Sequence, residues 1–192
     1  MRPTRPLLAA LLLTLGLASC LSLGGPALEP RYFSAHAPDD YPLDESRITR
    51  TDDLIVGDVV AAAHLRERLV WTDGGHEYGY FEGWRWVELP SDALERELRR
   101  TFMRIDCPED APVRRVDLEL MAFELERGSA PKAVLHLRAT LRSTSGRILD
   151  GVDVTTERPL PGEDPGAMAR ELGVALTEAA ERIARAGGVQ DG

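Results

Sequence analysis

The sequence predicts one α+β domain, in which two helices pack on a mainly antiparallel sheet. Three observations lead to this fold class. Residues 133–141 alternate between a row of Ala and Leu and a mixed row, which is typical of a half-buried strand. Residues 90–105 carry apolar side chains at helical intervals, and residues 165–186 form an alanine-rich helix that ends before Gly187-Gly188. A length of 192 residues suits one such domain.

Four strands are predicted ahead of the first helix, at residues 31–35, 54–60, 68–72 and 77–81. The second of these is rich in β-branched residues, which favour buried strands. Asp73-Gly74-Gly75 joins the last two as a hairpin, since glycine adopts the positive φ of tight turns without strain. In the returning strand Tyr78 and Tyr80 share one face, and Phe81 lies on the other.

The first helix is predicted to begin near Pro90. There Ser91 or Asp92 can accept hydrogen bonds from the free amides of the first turn. One apolar stripe follows at intervals of four, four and three residues, formed by Leu94, Leu98, Phe102 and Ile105. Cys107-Pro108 and Pro112 end the helix, because proline cannot continue it.

The second half predicts a three-stranded antiparallel meander and a closing helix. Residues 116–120 alternate with acids outward, and the phase slips at residues 121–123, which indicates a bulge or burial of both faces. Residues 133–141 and 147–157 are the other two strands, each preceded by a glycine-containing turn. The closing helix covers residues 165–186. Its buried stripe is Met168, Leu172, Ala175, Ala179 and Ile183.

The N-terminus is typical of a lipoprotein export signal. Arg2 and Arg5 precede an apolar run over residues 7–17, which is too short to span a membrane comfortably. The run ends in Leu17-Ala18-Ser19-Cys20, a lipobox in which Cys20 would be acylated and become the new N-terminus. The alternative is a plain signal peptide with an incidental cysteine.

The chain is therefore expected to have three parts. Residues 1–19 are a lipoprotein signal peptide, residues 20–30 are the acylated cysteine and a Gly- and Pro-rich flexible tether, and residues 31–188 form a single domain. The lipid would anchor the protein to a membrane without a spanning helix. Position 21 is Leu and not the Asp that favours inner-membrane retention in Gram-negative bacteria. The expected location is thus the periplasmic face of the outer membrane.

Charge and cysteine content exclude several classes of protein. The formal net charge of −9 argues against a nucleic-acid-binding protein, which needs a basic face. Two cysteines are too few for a disulfide scaffold or for a metal site of four thiolates. If Cys20 is acylated, Cys107 is an unpaired thiol in an oxidising compartment. It would be buried and inert, or reactive if exposed beside a cation.

No catalytic or cofactor-binding pattern stands out, so neither an enzymatic activity nor a cofactor is expected. The sequence has no Gly-x-Ser-x-Gly elbow, phosphate-binding loop or His-Glu-x-x-His pair. His64 and His76 lack a third ligand nearby in sequence, which argues against a metal site. Asp117 and Glu119 share a strand face, but a solvated edge explains them better than a catalytic pair. The acidic stretch within residues 39–53 is likewise better explained as a solvated surface than as a cation site.

Six aromatic residues are concentrated in sixteen positions, namely Trp71, Tyr78, Tyr80, Phe81, Trp84 and Trp86. One interpretation is an aromatic core. The other is an interface, because Trp84 and Trp86 share one face of an extended strand and Arg85 points to the opposite face. Partly exposed Trp and Arg side chains are typical of binding hot spots. The candidate partner-binding residues are Tyr80, Trp84, Arg85 and Trp86.

This stretch resembles the family of ABC-type transport auxiliary lipoproteins. The similarity lies in residues 65–71, 77–82 and 85–90, which follow that family's order of tyrosine, aromatic and acid, then arginine–tryptophan, then a proline before a helix. It extends to Cys20, to Tyr32-Phe33, to the meander and to the last helix. The segment from Ala37 to Asp53 is longer than the family pattern leads us to expect, which leaves the register of the second strand open.

The resemblance implies a mixed, largely antiparallel α/β sheet with two main helices, similar to the anticodon-binding-domain-like group, in place of a purely antiparallel sheet. It also implies a non-catalytic periplasmic lipoprotein. Members of the family work with MCE-domain proteins and an ABC transporter in moving lipids between the inner and outer membranes. The family offers no catalytic residues to carry over.

Three hypotheses of function follow. The leading one is a lipid-anchored adaptor that binds and positions an MCE-domain protein and ABC transporter components. The alternative is a periplasmic lipid-binding chaperone, which needs an apolar pocket between the sheet and the helices. A hydrolase is the third and weakest, because a nucleophile arrangement is missing from the sequence. The sequence leaves open whether the chain forms a homo-oligomer.

Overall fold

The structure is a computed structural model, and it describes residues 29–38, 41, 53–74, 76–103 and 113–187. Contacts divide the chain after Pro30, and the fold given below is that of the unit that begins at Arg31. The predicted signal peptide, Cys20 and most of the tether lie outside the described residues. So do Cys107 and most of the acidic stretch.

Within these ranges the chain forms seven strands and two helices. The strands are β1 (Arg31–Phe33), β2 (Asp53–Ala61), β3 (Arg68–Thr72), β4 (Tyr78–Trp86), β5 (Val113–Glu126), β6 (Lys132–Arg142) and β7 (Ile148–Pro159), and the helices are α1 (Pro90–Met103) and α2 (Pro165–Gly187). Every predicted element is present. The largest differences from the predicted limits are in β4, which continues past Phe81 to Trp86, and in β5, which extends beyond residues 116–120 at both ends. β1 ends at Phe33, two residues before its predicted end.

The seven strands form one mixed sheet. Its order is β1-β4-β3-β5-β6-β7, with β2 also paired to β5. The pairs β1–β4, β2–β5 and β3–β5 are parallel, whereas β3–β4, β5–β6 and β6–β7 are antiparallel. The predicted meander β5–β6–β7 and the mixed α/β sheet are confirmed. The mainly antiparallel sheet drawn from local patterns alone understates the parallel pairing, because pairing between distant strands leaves no local signal.

Strand β5 organises the sheet, because one of its edges carries two strands end to end. The parallel register joins β2 to residues 113–120 of β5 and β3 to residues 124–126. The other edge of β5 pairs with β6 along almost its whole length. The register with β6 shifts between Leu120 and Ala122, so the predicted phase slip is a bulge at Met121.

The core lies between one face of the sheet and the two helices. On β6 the row from Ala133 to Leu141 is buried, and the alternate row, which includes His136, faces outward. The predicted stripe of α2, from Met168 to Ile183, is buried as well. Neither α1 nor α2, the helices of the described residues, combines the length and apolar character needed to cross a membrane.

Two contacts fix the helices to the rest of the domain. The hydroxyl of Thr177 in α2 donates a hydrogen bond of 2.8 Å to the carboxylate of Glu97 in α1. Glu97 is buried and forms a 2.6 Å ion pair with Arg100. At Gly173 the backbone of His36 lies where a side-chain carbon would stand, so only glycine permits this close approach.

Candidate functional site

The hairpin of β3 and β4 carries the aromatic residues singled out in the sequence. Its turn is closed by the side chain of Asp73, which accepts hydrogen bonds from the amides of His76 (3.2 Å) and Glu77 (3.1 Å). Gly74 has a φ of 85°, which is the left-handed conformation that such a turn requires. The predicted hairpin is therefore confirmed.

Strand β4 contains a bulge that sequence patterns do not show. Arg68 pairs with Arg85 and Val70 with Tyr80, so β4 takes five residue steps where β3 takes two. Gly83, with a φ of 73°, supplies the positive φ within this bulge. The extra residues shift the register of the hairpin and change which side chains face each other.

Most of the large aromatic rings lie on the inner face of the hairpin, as the core interpretation predicts. Trp86 is only 5% exposed, and its ring centre lies 5.2 Å from that of the buried Phe123. Trp84 is half-buried and stacks on Phe81 at 5.0 Å between ring centres. Phe33 of β1 lies 5.8 Å from Trp84 on the same side. Trp86 thus belongs to the core, and Trp84 lies at its margin.

Trp71 extends this aromatic layer and is covered by a cation. Its indole lies against Gly79, where any side-chain carbon would clash with the ring. The guanidinium of Arg127 stands 3.9 Å from the Trp71 ring centre and 5.2 Å from that of Phe81. Arg127 also forms an ion pair of 3.2 Å with Glu163. Its charge is therefore already satisfied by a carboxylate.

Five side chains lie on the outward side of the same strands, opposite the core. They are Tyr32, Arg68, Tyr78, Tyr80 and Arg85, and we call them the Tyr–Arg face. The register places Arg85 beside both Tyr32 and Arg68, and Arg68 stacks on Tyr80 at 4.3 Å from the ring centre. The tyrosines are 63% (Tyr32), 55% (Tyr78) and 40% (Tyr80) exposed. Large amphipathic side chains are thus presented to solvent in one row.

The positive charge of the Tyr–Arg face comes from Arg68 and Arg85. Within the described part of the chain, no carboxylate forms an ion pair with Arg68 or Arg85. Arg85 donates a hydrogen bond of 3.0 Å to the carbonyl of Trp84, and the Nε of Arg68 is buried without a partner. Two cations therefore stand side by side on a surface that carries exposed aromatic rings.

A buried carboxyl group lies next to this face. Glu124 of β5 is 5% exposed, and its Oε2 is 3.5 Å from Nε2 of His64, whose ring packs against Tyr78. Burial, assisted by the charge of Glu126, raises the pKa of Glu124 to about 7. Burial lowers the pKa of His64. Both groups are therefore pushed toward their neutral forms.

The outward side of β5, β6 and β7 is different, since its arginines are matched with acids. Asp117 accepts hydrogen bonds of 2.6 Å from Arg115 and 2.7 Å from Arg142. Burial raises the pKa of Asp117, but these hydrogen bonds outweigh it and hold the pKa below its usual value. Arg138 pairs with Asp153 at 3.1 Å. Asp117 thus has a structural partnership with two arginines on the outward face of the sheet.

Two surface grooves are found, and charged side chains line both. One, of about 300 Å³, lies on the outward face between Asp58, Asp117, Glu119 and Arg138. The other, of about 470 Å³, lies along α1 and is lined by acidic and arginine side chains, namely Asp92, Glu95, Arg96, Arg99 and Arg100. The aliphatic parts of these side chains form most of the lining of both grooves. No cluster of three or more His, Cys, Asp or Glu suited to a metal ion occurs in the described ranges.

The four candidate partner-binding residues come together in space but lie on two faces. Tyr80 and Arg85 belong to the outward Tyr–Arg face, Trp84 lies at the margin of the inner layer, and Trp86 is in the core. Sequence reasoning missed Tyr32 and Arg68 as members of the surface. The parallel pairing of β1 and the bulge in β4 bring them there, and neither has a local sequence signal.

Comparison with known proteins gives one family and several similar folds. The family model described as ABC-type transport auxiliary lipoprotein component matches residues 41–184. No curated protein matches the chain. A solved protein of Xanthomonas campestris from the family DUF330 is similar at a TM-score of 0.66 and 20% identity, covering 82% of this chain and 94% of that one. A second solved protein, described as uncharacterized, has a TM-score of 0.61 and 15% identity, covering 82% and 98% of the two chains.

At these identities the structural likeness shows the fold alone. The family match shows more than the fold, because it covers well over half of the chain and includes both the aromatic hairpin and the meander. Its description is that of an auxiliary lipoprotein, which is not a known class of enzyme. The chain belongs to the family of ABC-type transport auxiliary lipoprotein components.

Proposed function

We propose that this protein is a lipid-anchored periplasmic accessory protein of an MCE/ABC-type intermembrane lipid transport system. It acts by binding and positioning an MCE-domain protein and ABC transporter components, and it breaks no bond. Cys20 carries the lipid, and Leu21 directs the protein to the periplasmic face of the outer membrane. The family match and the lipobox support this proposal.

The observation that carries the binding role is the Tyr–Arg face. Tyrosine and arginine are enriched at protein interfaces, because each presents a large contact area together with hydrogen-bond donors. Here three exposed tyrosines share one side of β1, β3 and β4 with two arginines that pair with no carboxylate of the described ranges. Tyr80 and Arg85 are the central contacts. Trp84 and Trp86 act from the inner side, where they hold the strands that present the face.

The test is a pull-down of the MCE-domain protein by full-length variants of this chain. We expect Tyr80→Ala and Arg85→Ala each to weaken binding about tenfold or more, as hot-spot substitutions do. Leu149→Ala is the matched control, because Leu149 is also an exposed large side chain but lies on β7 at the far edge of the sheet. Circular dichroism checks that each variant is folded. Full binding by folded Tyr80→Ala and Arg85→Ala variants would refute this surface.

A simpler observation tests the transport system itself. Genes for an MCE-domain protein, a permease and an ATPase beside the gene for this chain would agree with the proposal. If such genes are missing from the genome, the proposed partners are wrong.

A further inference from the structure

Among the residues that the structure describes, arginines that form no ion pair with a carboxylate are concentrated at one end of the sheet. In the described part of the chain these are Arg31, Arg66, Arg68, Arg85, Arg147, Arg170 and Arg182. The first four lie on β1, β3 and β4 or in the loop just before β3. The chain has 32 acidic residues against 23 basic ones, so acids are not scarce. Glu67, Glu77 and Glu82 are exposed at this end of the sheet, yet none of these three glutamates forms an ion pair with the four arginines.

The register brings Arg68 and Arg85 together on neighbouring strands. The two residues are direct cross-strand partners, and like charges in that position repel each other. Half-burial of both side chains strengthens the repulsion, because water screens it less. A carboxylate that binds Arg68 or Arg85 would form charge-assisted hydrogen bonds and offset this repulsion.

We propose that the Tyr–Arg face binds a carboxylate-rich segment of a partner protein. This inference rests on the docking role proposed above and adds the chemistry of the partner. Carboxylates of the segment bind Arg68 and Arg85, and its aliphatic stems pack on the rings of Tyr32, Tyr78 and Tyr80. The net charge of −9 repels an acidic partner elsewhere on the protein, so charge also directs the segment to this face.

A narrow acidic segment fits this face better than an anionic bilayer does. Glu67, Glu77 and Glu82 are exposed on the same hairpin and its entry. A flat anionic membrane would have to approach these three carboxylates together with the arginines, and their repulsion would offset the attraction. An extended peptide can follow the row of the Tyr–Arg face and leave the glutamates in water.

The experiment is photo-crosslinking in cells that produce the full chain. A benzophenone amino acid replaces Tyr32, the most exposed tyrosine of the face, and Leu149 on β7 is the control position. Mass spectrometry identifies what is attached at each position and maps the crosslinked peptide. We expect the Tyr32 position to capture a protein segment in which Asp and Glu outnumber Lys and Arg, and the Leu149 position not to capture it.

Charge variants make the test quantitative. Arg68→Gln with Arg85→Gln removes both cations of the face, whereas Arg147→Gln with Arg170→Gln removes the same charge elsewhere. We expect the first pair to lower the crosslinking yield at Tyr32 about tenfold and the second pair to leave it unchanged. Arg85→Lys alone keeps the charge and retains most of the yield. If the first double variant does not fold, the test rests on two other results. These are the charge of the segment crosslinked to the parent chain and the crosslinking yield of Arg85→Lys.

The outcomes separate this inference from the proposed function. A phospholipid adduct, a neutral or basic peptide, or equal capture from Leu149 overturns the acidic segment. An MCE-domain protein captured through a neutral segment preserves the proposed function and refutes the inference. An acidic segment captured from a protein unrelated to transport supports the inference and refutes the proposed function.

Discussion

The two halves of the outward sheet face surround arginine in opposite ways. On β5, β6 and β7, Arg115 and Arg142 both bind Asp117, and Arg138 binds Asp153. On β1, β3 and β4 the cross-strand neighbours Arg68 and Arg85 have no ion pair with any described carboxylate. Both halves belong to one sheet and share the same core on the other side.

Charged side chains on a sheet surface can therefore serve two purposes, ion pairing within the chain and binding of a partner. Where acids and bases alternate, the charges satisfy each other and present little to a partner. Where arginines beside exposed tyrosines form no ion pair with a described carboxylate, their charge and hydrogen-bond donors remain available to a partner. The arginines on β5, β6 and β7 stabilise the fold through their ion pairs. Those on β1, β3 and β4 have no such role within the described residues.

The largest effect on stability is expected for the core beneath the Tyr–Arg face. Trp86→Ala removes a buried ring from beneath this half and should lower the free energy of unfolding by about 3–5 kcal/mol. Tyr80→Ala, on the opposite side of β4, should lower it by less than about 1 kcal/mol. Urea unfolding followed by circular dichroism measures both. Equal losses would show that the outward face of the hairpin contributes as much to stability as the core face does.

The next effect concerns Glu124 of β5, at the point where β5 pairs with β3. The folded state keeps a proton on Glu124 up to a pH of about 7, whereas the unfolded chain loses it near the usual pKa of 4.5. The unfolded state therefore binds fewer protons between these values, and stability falls as the pH rises through them. The loss attributable to Glu124 is roughly 3 kcal/mol at most and is complete above about pH 7.

Glu124→Gln should abolish this loss. We expect the variant to be more stable than the parent at pH 7.5 by roughly 1–3 kcal/mol and to differ little from it near pH 4.5. His64 has the opposite dependence, because its lowered pKa destabilises the fold as the pH falls, but it is present in both proteins. Urea unfolding across the pH range gives the difference. A constant difference would show that Glu124 titrates normally.

A smaller effect is expected in the half whose charges are paired. Asp117→Asn weakens the hydrogen bonds from Arg115 and Arg142 and leaves these two cations side by side. We expect a loss of about 1–2 kcal/mol in the free energy of unfolding, reduced at high salt. The lowered pKa of Asp117 means that the parent keeps this stabilisation as the pH falls, until the carboxylate itself is protonated.

The smallest effect on stability is expected at Arg85. Arg85→Gln removes one of two adjacent cations and breaks no ion pair among the described residues, so the free energy of unfolding should change by less than about 0.5 kcal/mol. A slight gain at low salt would agree with relief of the repulsion from Arg68. A loss as large as that of Asp117→Asn would mean that Arg85 has a structural partner.

Local patterns predicted most of the fold, because each row of core residues lies within a single strand or helix. The alternation from Ala133 to Leu141 and the stripe from Met168 to Ile183 each lie within one element, and both are buried as expected. The parallel pairing of β2 and β3 with β5 was not predicted from the residues. It joins segments far apart in the chain, and no residue near either strand encodes its partner.

The candidate surface was predicted in part for the same reason. Alternation correctly placed Arg85 opposite Trp84 and Trp86. It could not show that Trp86 reaches Phe123, which comes from β5, or that Arg68 faces Arg85 across a bulge. Side chains within one strand follow a simple period, but their neighbours depend on a register that the whole sheet determines.

The shared edge of β5 has a consequence for the order of events in folding. β2 and β3 are both synthesised well before the strand that they flank, so each pairing closes a long loop. Chains with so many non-local contacts collapse into their native topology slowly, in roughly milliseconds to seconds. If the lipobox is used as proposed, the polypeptide must be threaded across a membrane before it folds. A sheet that cannot assemble until its fifth strand has arrived keeps the preceding chain available for translocation.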